Sequence, residues 1–135
     1  MIDPHAVLLA FLEADGPLTA LTGSRVYAGV SEPPEGYKPS TGSAACFRVR
    51  GGGQDESGHM QSVSFQFKCY GGGANVYVQT LAASALAKAL HEALNYRQNG
   101  AVMGAQAETQ AQPLTEPDTG WPYQLVFYRV QVRNS

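Results

Sequence analysis

The chain has 135 residues, of which 44% are hydrophobic and only 15% are charged, and its formal net charge is −2. This length suits one domain over residues 1–135, and the ordinary hydrophobic content excludes a disordered chain. The slightly acidic balance excludes the strongly basic footprint that is typical of nucleic-acid-binding proteins. The low share of charged residues indicates that partners cover part of the surface, because charged side chains are depleted at the centres of interfaces.

Signals for secretion and for a membrane anchor are missing from the sequence. Residues 1–12 are apolar but lack the basic start of a signal peptide, and no stretch reaches the ~20 apolar residues of a membrane span. Cys46 and Cys69 are too few for a disulfide framework. We therefore expect a protein that folds in a reducing cytosol, keeps free thiols and has no membrane partner.

The first predicted element is a helix near the N-terminus. Asp3 is a favourable N-cap, and Pro4 suits the first helical position. Apolar residues then recur at helical spacing, at Val7, Leu8, Phe11 and Leu12. Gly16-Pro17 is predicted to end this helix, and residues 18–21 could form one further helical turn.

A short β-like piece at residues 25–28 precedes a long loop over residues 31–42. Pro33, Pro34 and Pro39 lie in this loop and exclude a regular strand or helix there. A loop of about a dozen residues is uncommon in a compact domain unless it carries a function. We therefore interpret residues 31–42 as an extended functional surface loop.

Two strands follow, at residues 44–50 and 60–70, and they are predicted to form a hairpin. The second strand is the clearer, because apolar residues alternate with polar ones along it. Its apolar face carries Val63, Phe65, Phe67 and Cys69. Residues 51–58 should form a flexible hairpin tip that carries the acidic pair Asp55 and Glu56.

The next predicted element is a long helix over residues 75–95, which follows a break at Gly71–Gly73. Its apolar stripe consists of Val78, Leu81, Ala82, Ala85, Leu86, Ala89, Leu90, Ala93 and Leu94. Many alanines in this stripe would let the helix lie close to a sheet. Asn99-Gly100 is predicted to form a turn after it.

The C-terminal third is predicted to be mostly strand. Small apolar and polar residues alternate over residues 101–112, which favours a strand, although the alanine content also permits a helix. Residues 113–122 are predicted to form a second irregular loop, because Pro113, Pro117 and Gly120 interrupt them. A closing strand over residues 123–133 is rich in β-branched and aromatic residues and could be covered on both faces.

These elements predict an α+β fold. The economical arrangement is a mostly antiparallel four-stranded sheet with two helices packed on one face, joined by long proline- and glycine-rich loops.

Motifs for catalysis, cofactors and metals are absent from the sequence. The glycine runs at 51–53 and 71–73 lack the residues of a phosphate-binding loop. His5, His59 and His91 lack the spacing of a metal site, and each is expected to be solvated or hydrogen-bonded. We therefore expect no cofactor, no metal and no enzymatic activity.

A cysteine or histidine enzyme is the rival hypothesis. Cys69 lies on an apolar strand face and is expected to be a buried structural thiol. Cys46 lies on the opposite face from Phe47, beside Arg48, and is the less inert of the two. A small hydrolase that uses Cys46 or His91 would need a deep polar pocket around that residue.

The two predicted loops are better suited to binding a partner. They combine rigid prolines with aromatic anchors at Pro33, Pro34, Tyr37, Trp121 and Tyr123. The alternative is that Trp121 and Tyr123 plug the edge of the sheet, and the sequence leaves both interpretations open.

The ordering of the whole chain resembles the tail terminator (tail completion) proteins of long-tailed bacteriophages. The resemblance includes the segment LTALTGSRVY at 18–27, the prolines at 33–34 and FKCYG at 67–71. It continues through the alanine-rich helix from Leu81 to Leu94 and the closing strand YQLVFYRV at 123–130. These similarities are patterns of residue class, without a catalytic signature.

The resemblance implies a virion protein of the tail or neck that assembles in the host cytoplasm. Such a protein forms a ring, usually of six copies, which caps the tail tube, ends tube polymerisation and meets the head-side connector or stopper protein. Genomic DNA then passes through the lumen of the ring without specific binding. An acidic tip at Asp55 and Glu56 would repel its phosphates if it lined the lumen.

We expect the interface with partners to involve Arg25, Tyr27, Pro33, Pro34, Tyr37, Arg48, Arg50, Asp55, Glu56, Trp121 and Tyr123. Three alternatives to a terminator stay open. They are another neck or head–tail connector protein (a stopper or adaptor), an unrelated soluble binding module, and the small enzyme described above.

Overall fold

The computed structural model of the protein describes residues 3–54, 59–95 and 102–133. Three α-helices and six β-strands lie within these ranges, together with a short 3₁₀ turn at Pro39–Thr41. The helices are α1 (Pro4–Glu13), α2 (Gly16–Thr22) and α3 (Val76–Leu94). The strands are β1 (Val26–Ala28), β2 (Ala44–Gln54), β3 (Met60–Tyr70), β4 (Val102–Ala107), β5 (Gln112–Thr115) and β6 (Pro122–Arg133).

All six strands join one mixed sheet in the order β1-β2-β3-β6-β4, with β5 also paired to β6. Only β1 and β2 are parallel; the other pairs, β2–β3, β3–β6, β4–β6 and β5–β6, are antiparallel. β4 and β5 therefore share one neighbour, and each pairs with a different half of β6.

The structure corrects the predicted four-stranded antiparallel sheet with two helices. Residues 26–28 were predicted only as a short β-like piece outside the four-stranded sheet, and they pair in parallel with β2. The predicted loop over residues 113–122 contains most of β5, because a strand with one open edge tolerates Pro113. Gly16-Pro17 begins α2 where the sequence suggested a helix end, since proline is favoured in the first helical turn.

The bounds of several elements agree with the sequence-based predictions. β3 spans Met60–Tyr70, and α3 begins after its N-cap Asn75 and ends at Leu94. Asp3 caps α1 by accepting a hydrogen bond from the His5 backbone N–H at 3.0 Å. β2 runs farther than predicted, through the glycines to Gln54. The predicted tip at residues 55–58 and the turn at Asn99-Gly100 lie outside the described residues.

All three helices contribute to a core on the same side of the sheet. Phe47, Phe65 and Phe67 are fully buried there, and their rings lie 5.4–6.4 Å apart between centroids. The helices cover them with Leu8, Leu12, Leu18, Leu86, Leu90 and Leu94. Burial of aliphatic and aromatic side chains of this size is the main driving force for the fold.

The predicted apolar stripe of α3 is correct in its C-terminal half and wrong near its start. Leu86, Leu90 and Leu94 are completely buried, whereas Val78 and Leu81 are 43% and 55% exposed. The helix is longer than the part of the sheet that it covers, so its first turns extend beyond the core.

Candidate interaction surfaces

The side of the sheet that faces away from the helices carries a basic surface, here called the open face. Arg48, Gln66 and Phe127 lie side by side across β2, β3 and β6. Arg50 lies over Phe127, with its guanidinium carbon 4.2 Å from the ring centroid. Because both arginines are exposed, the open face presents two positive charges above a partly buried aromatic ring.

Arg129 extends the open face but is already engaged. One guanidinium nitrogen donates to the Ser62 hydroxyl at 3.0 Å, and the other lies 3.4 Å from a Glu108 carboxylate oxygen. The Ser64 hydroxyl donates to the same carboxylate. Arg48, in contrast, is exposed and has no hydrogen bond or ion pair within residues 3–54, 59–95 and 102–133.

The 31–42 loop folds over one end of this side of the sheet and forms an aromatic cluster with it. Tyr37 is buried, and its ring meets the Trp121 ring edge-on with centroids 5.6 Å apart. The Tyr37 hydroxyl donates to the Gly42 carbonyl at 2.7 Å, which fastens the loop to itself. Tyr70 and Tyr123 lie beneath, 5.2 Å apart between centroids. The loop is therefore anchored by its own aromatic side chain.

Glu116 lies beside the aromatic cluster and links the segment that follows β5 to β3. Its carboxylate accepts a hydrogen bond from the Tyr70 hydroxyl and pairs with Lys68 Nζ at 3.4 Å. Burial raises the pKa of Tyr70, and the hydrogen bond to Glu116 raises it further. Lys68 also lies 5.0 Å from the centre of the Tyr123 ring. Glu116 is thus a structural carboxylate with its own counter-ion.

A small cavity of about 100 Å³, here called the acidic pocket, opens next to Glu116. Its lining includes three carboxylates and two aromatic rings, in the set Glu32, Pro33, Tyr70, Glu116, Asp118, Thr119 and Trp121. Glu32 and Asp118 are exposed, and neither forms an ion pair with any residue in the described part of the chain. The pocket therefore keeps two uncompensated negative charges at its mouth.

The two thiols are not available for chemistry at neutral pH. Cys46 is buried under the aromatic cluster, and burial raises its pKa to about 12. Burial in the helix-side core raises the pKa of Cys69 to about 12 as well. A nucleophilic cysteine needs a lowered pKa and access to solvent, and both residues have neither.

A groove between α3 and the sheet contains His91. The cavity measures about 450 Å³, and His91 Nδ1 lies 2.9 Å from the Tyr128 hydroxyl at its floor. Burial raises the pKa of Tyr128 to about 12. Cys46 lies on the opposite side of the sheet, so it cannot form a catalytic pair with His91.

The exposed start of α3 is an apolar ridge, of which only Leu81 belongs to the predicted apolar stripe. Val76, Tyr77 and Leu81 are 61%, 73% and 55% exposed. Large apolar side chains grouped in this way on a surface mark a site of interaction more often than single exposed residues do.

The remaining predicted interface residues do not share one surface. Arg25 donates from Nε to the Ser43 carbonyl at 2.9 Å and fills the space beside Gly42, whose φ is +135°. Tyr27 packs against the aromatic cluster, as Tyr123 does, and Pro34 is exposed. Asp55 and Glu56 lie outside the described residues.

The structure brings the predicted residues together only in part. Tyr37, Trp121 and Tyr123 gather at the covered end of the sheet, while Arg48 and Arg50 lie on the open face. Trp121 packs on Tyr37 of the loop, and Tyr123 lies on β6 between β3 and β5, away from an edge of the sheet. Sequence reasoning missed Phe127 and Glu116, although the apolar bulk on the outer face of β6 was a signal for Phe127.

The described part of the chain contains neither a metal site nor a membrane-spanning helix. The described residues contain no group of three or more His, Cys, Asp or Glu side chains that could hold a metal ion. Over the same part of the chain, no helix has the length and apolar character needed to span a bilayer.

Comparison with known proteins finds a chain with a similar fold, but no protein family that matches this sequence. No protein family matches the sequence. No curated protein sequence is significantly similar to it. A chain from the structure "Virion of native gene transfer agent (GTA) particle" has a similar fold, with a TM-score of 0.64 and 20% sequence identity. The similarity covers 97% of this chain and 95% of that chain.

Proposed function

We propose that the protein is a non-enzymatic structural component of a phage-like virion. In this role it forms a ring that caps the tail tube, ends tube polymerisation and joins the tail to the head-side connector. The observation that carries the proposal is the shared fold with a chain of a gene transfer agent virion over 97% of this chain. The resemblance of the sequence to tail terminator proteins supports the same assignment and supplies the finer role.

The surfaces of the chain suit assembly into a ring. A closed ring uses heterologous contacts, so each copy must present two different patches. The open face with Arg48 and Arg50 and the acidic pocket with Glu32 and Asp118 are two such patches of opposite charge. The apolar ridge at Val76, Tyr77 and Leu81 adds surface of the kind that assemblies bury.

The proposal includes three partners besides further copies of the chain. The ring, a hexamer by resemblance, would contact the tail tube protein on one side and the connector or stopper protein on the other. Genomic DNA would pass through the lumen without specific binding, in keeping with the net charge of −2. Assembly would take place in the host cytoplasm.

An elongation assay tests this function. The purified protein is added to tail tubes during growth, and tube lengths are measured by electron microscopy. A terminator stops elongation, so the tubes should be short and should end in an added ring. As the matched control, the same amount is added after elongation is complete, where the length distribution should not change.

Two outcomes would contradict the terminator role. If the tubes keep growing while the protein binds to tail-less heads, the protein is a stopper or adaptor of the neck. If the protein binds neither tubes nor heads and stays monomeric in assembled virions, it is an unrelated binding module.

A further inference from the structure

We propose that the open face of one copy docks onto the acidic pocket of a second copy, so that Arg48 and Arg50 approach Glu32 and Asp118. The inference rests on the proposed ring and names the two surfaces that would join neighbouring copies.

The preorganised part of the basic side of this contact is Arg50. Arg48 projects from β2 in register with Gln66 of β3, and Arg50 is held over the Phe127 ring at 4.2 Å. Arg129 is committed to Glu108 and Ser62, which leaves Arg48 and Arg50 to meet a partner. A guanidinium that is already positioned loses less conformational entropy when it binds.

The acidic side is a concave site with the chemistry that a guanidinium group requires. Glu32 and Asp118 supply carboxylates at the mouth, while Trp121 supplies an aromatic wall. Glu116 is neutralised by Lys68, so the two exposed carboxylates carry the net charge of the pocket. A cavity of about 100 Å³ has room for the end of one side chain.

Charge complementarity identifies the occupant as a second copy. Among the described residues of one copy, the carboxylates paired with a Lys or Arg are Glu116 with Lys68 and Glu108 with Arg129, and neither pair joins the open face to the acidic pocket. Counting only residues 3–54, 59–95 and 102–133, each copy therefore has one basic patch and one acidic patch that are not paired with each other. When each copy uses its basic patch on one neighbour and its acidic patch on another, the contact is head-to-tail, which is the kind that closes a ring.

A charge-swap experiment tests the contact. Variant A carries Arg48→Glu and Arg50→Glu, and variant B carries Glu32→Lys and Asp118→Lys. Each variant alone juxtaposes like charges, so self-association measured by analytical ultracentrifugation should weaken about a hundredfold relative to the unmodified chain. In a 1:1 mixture, A and B can alternate with only opposite charges in contact, and association should return.

The controls separate this contact from general effects of charge and folding. Lys88→Glu and Glu92→Lys reverse exposed charges on α3 and should leave association unchanged. Circular dichroism and urea unfolding of every variant establish that the fold is kept. If variant A unfolds, Arg48→Gln alone replaces it and should still weaken association. Added salt should weaken association of the unmodified chain, because exposed ion pairs are screened.

Four outcomes separate the inference from the proposed function. If both variants assemble like the unmodified chain, or if the mixture fails to restore assembly, the docking contact is wrong and the terminator role is unaffected. If the unmodified chain never self-associates, the contact is also wrong, and the elongation assay alone decides the function.

If variant A assembles normally but loses binding to the tube protein or to DNA, the open face serves that partner and the inference is overturned. If the swap behaves as expected but tubes keep growing, the contact stands and the terminator role fails.

Discussion

The two sides of the sheet are filled in different ways. On the helix side, Phe47, Phe65 and Phe67 pack under three helices and are inaccessible to solvent. On the other side, a loop covers one end with Tyr37, and the rest is left open beneath Arg48 and Arg50. The helix side therefore contributes most of the stability of the single chain, and the open side is available for contacts between chains.

The largest expected difference between the two sides concerns two phenylalanines. Phe67→Ala should lower the free energy of unfolding by about 3–5 kcal/mol, because it leaves a cavity among buried rings. Phe127→Ala, on the open side, should cost about 1 kcal/mol because this ring is only partly buried. Urea denaturation measures both. If both variants lost the same free energy of unfolding, the open side would contribute as much to the stability of the single chain as the helix side does.

The covered end of the open side should depend on Glu116. Glu116→Ala should lower the free energy of unfolding by about 2 kcal/mol, because Tyr70 and Lys68 lose their partner in a partly buried site. Asp118→Ala changes an exposed carboxylate in the same pocket and should cost less than about 0.5 kcal/mol. A loss with Asp118→Ala as large as that with Glu116→Ala would contradict the structural role of Glu116.

The two thiols, one on each side, should make the protein sensitive to alkali. Both pKa values rise from 9.0 to about 12 on folding, so the unfolded chain loses these protons first as pH rises. The stability is therefore complete below pH 9 and should fall between about pH 9 and 12, by about 1.4 kcal/mol per pH unit for each thiol. Urea unfolding as a function of pH measures the slope. Cys46→Ala should have a shallower slope, and an unchanged slope would mean that the Cys46 thiol is accessible.

The smallest effect is expected on α3, where one helix contains both kinds of surface. Leu81→Ala should change the free energy of unfolding by less than about 0.5 kcal/mol, because this side chain is 55% exposed. Its matched control, Leu90→Ala, removes a fully buried side chain and should cost about 2–5 kcal/mol. A large loss at Leu81 would place the apolar ridge within the core of the single chain.

The difference between local signals and contacts between distant segments explains which parts of the fold could be predicted from the sequence. Strict alternation along β3 and the helix cap at Asp3 are local signals, and both were interpreted correctly. The pairing of β1 with β2 and of β5 with β6 depends on which chain segments meet in space, and no local pattern records that. The predicted strand count was therefore wrong, even though the long elements were placed well.

The candidate surfaces were less predictable than the fold for a similar reason. Arg48 and Arg50 were identified from the polar face of a strand, but the Phe127 ring beneath them comes from a strand about 80 residues later. Glu116 lies in the predicted loop over residues 113–122, and only the folded chain places Tyr70 and Lys68 beside it. Tyr37 and Trp121 were expected at an interface, and the structure packs them against each other.

Imaging of tail tubes that have grown in the presence of the purified protein tests the central claim most directly. We expect short tubes, each closed at one end by a ring of this chain with an open lumen. Tubes of unlimited length with free ends, together with a chain that remains single at every concentration, would contradict it.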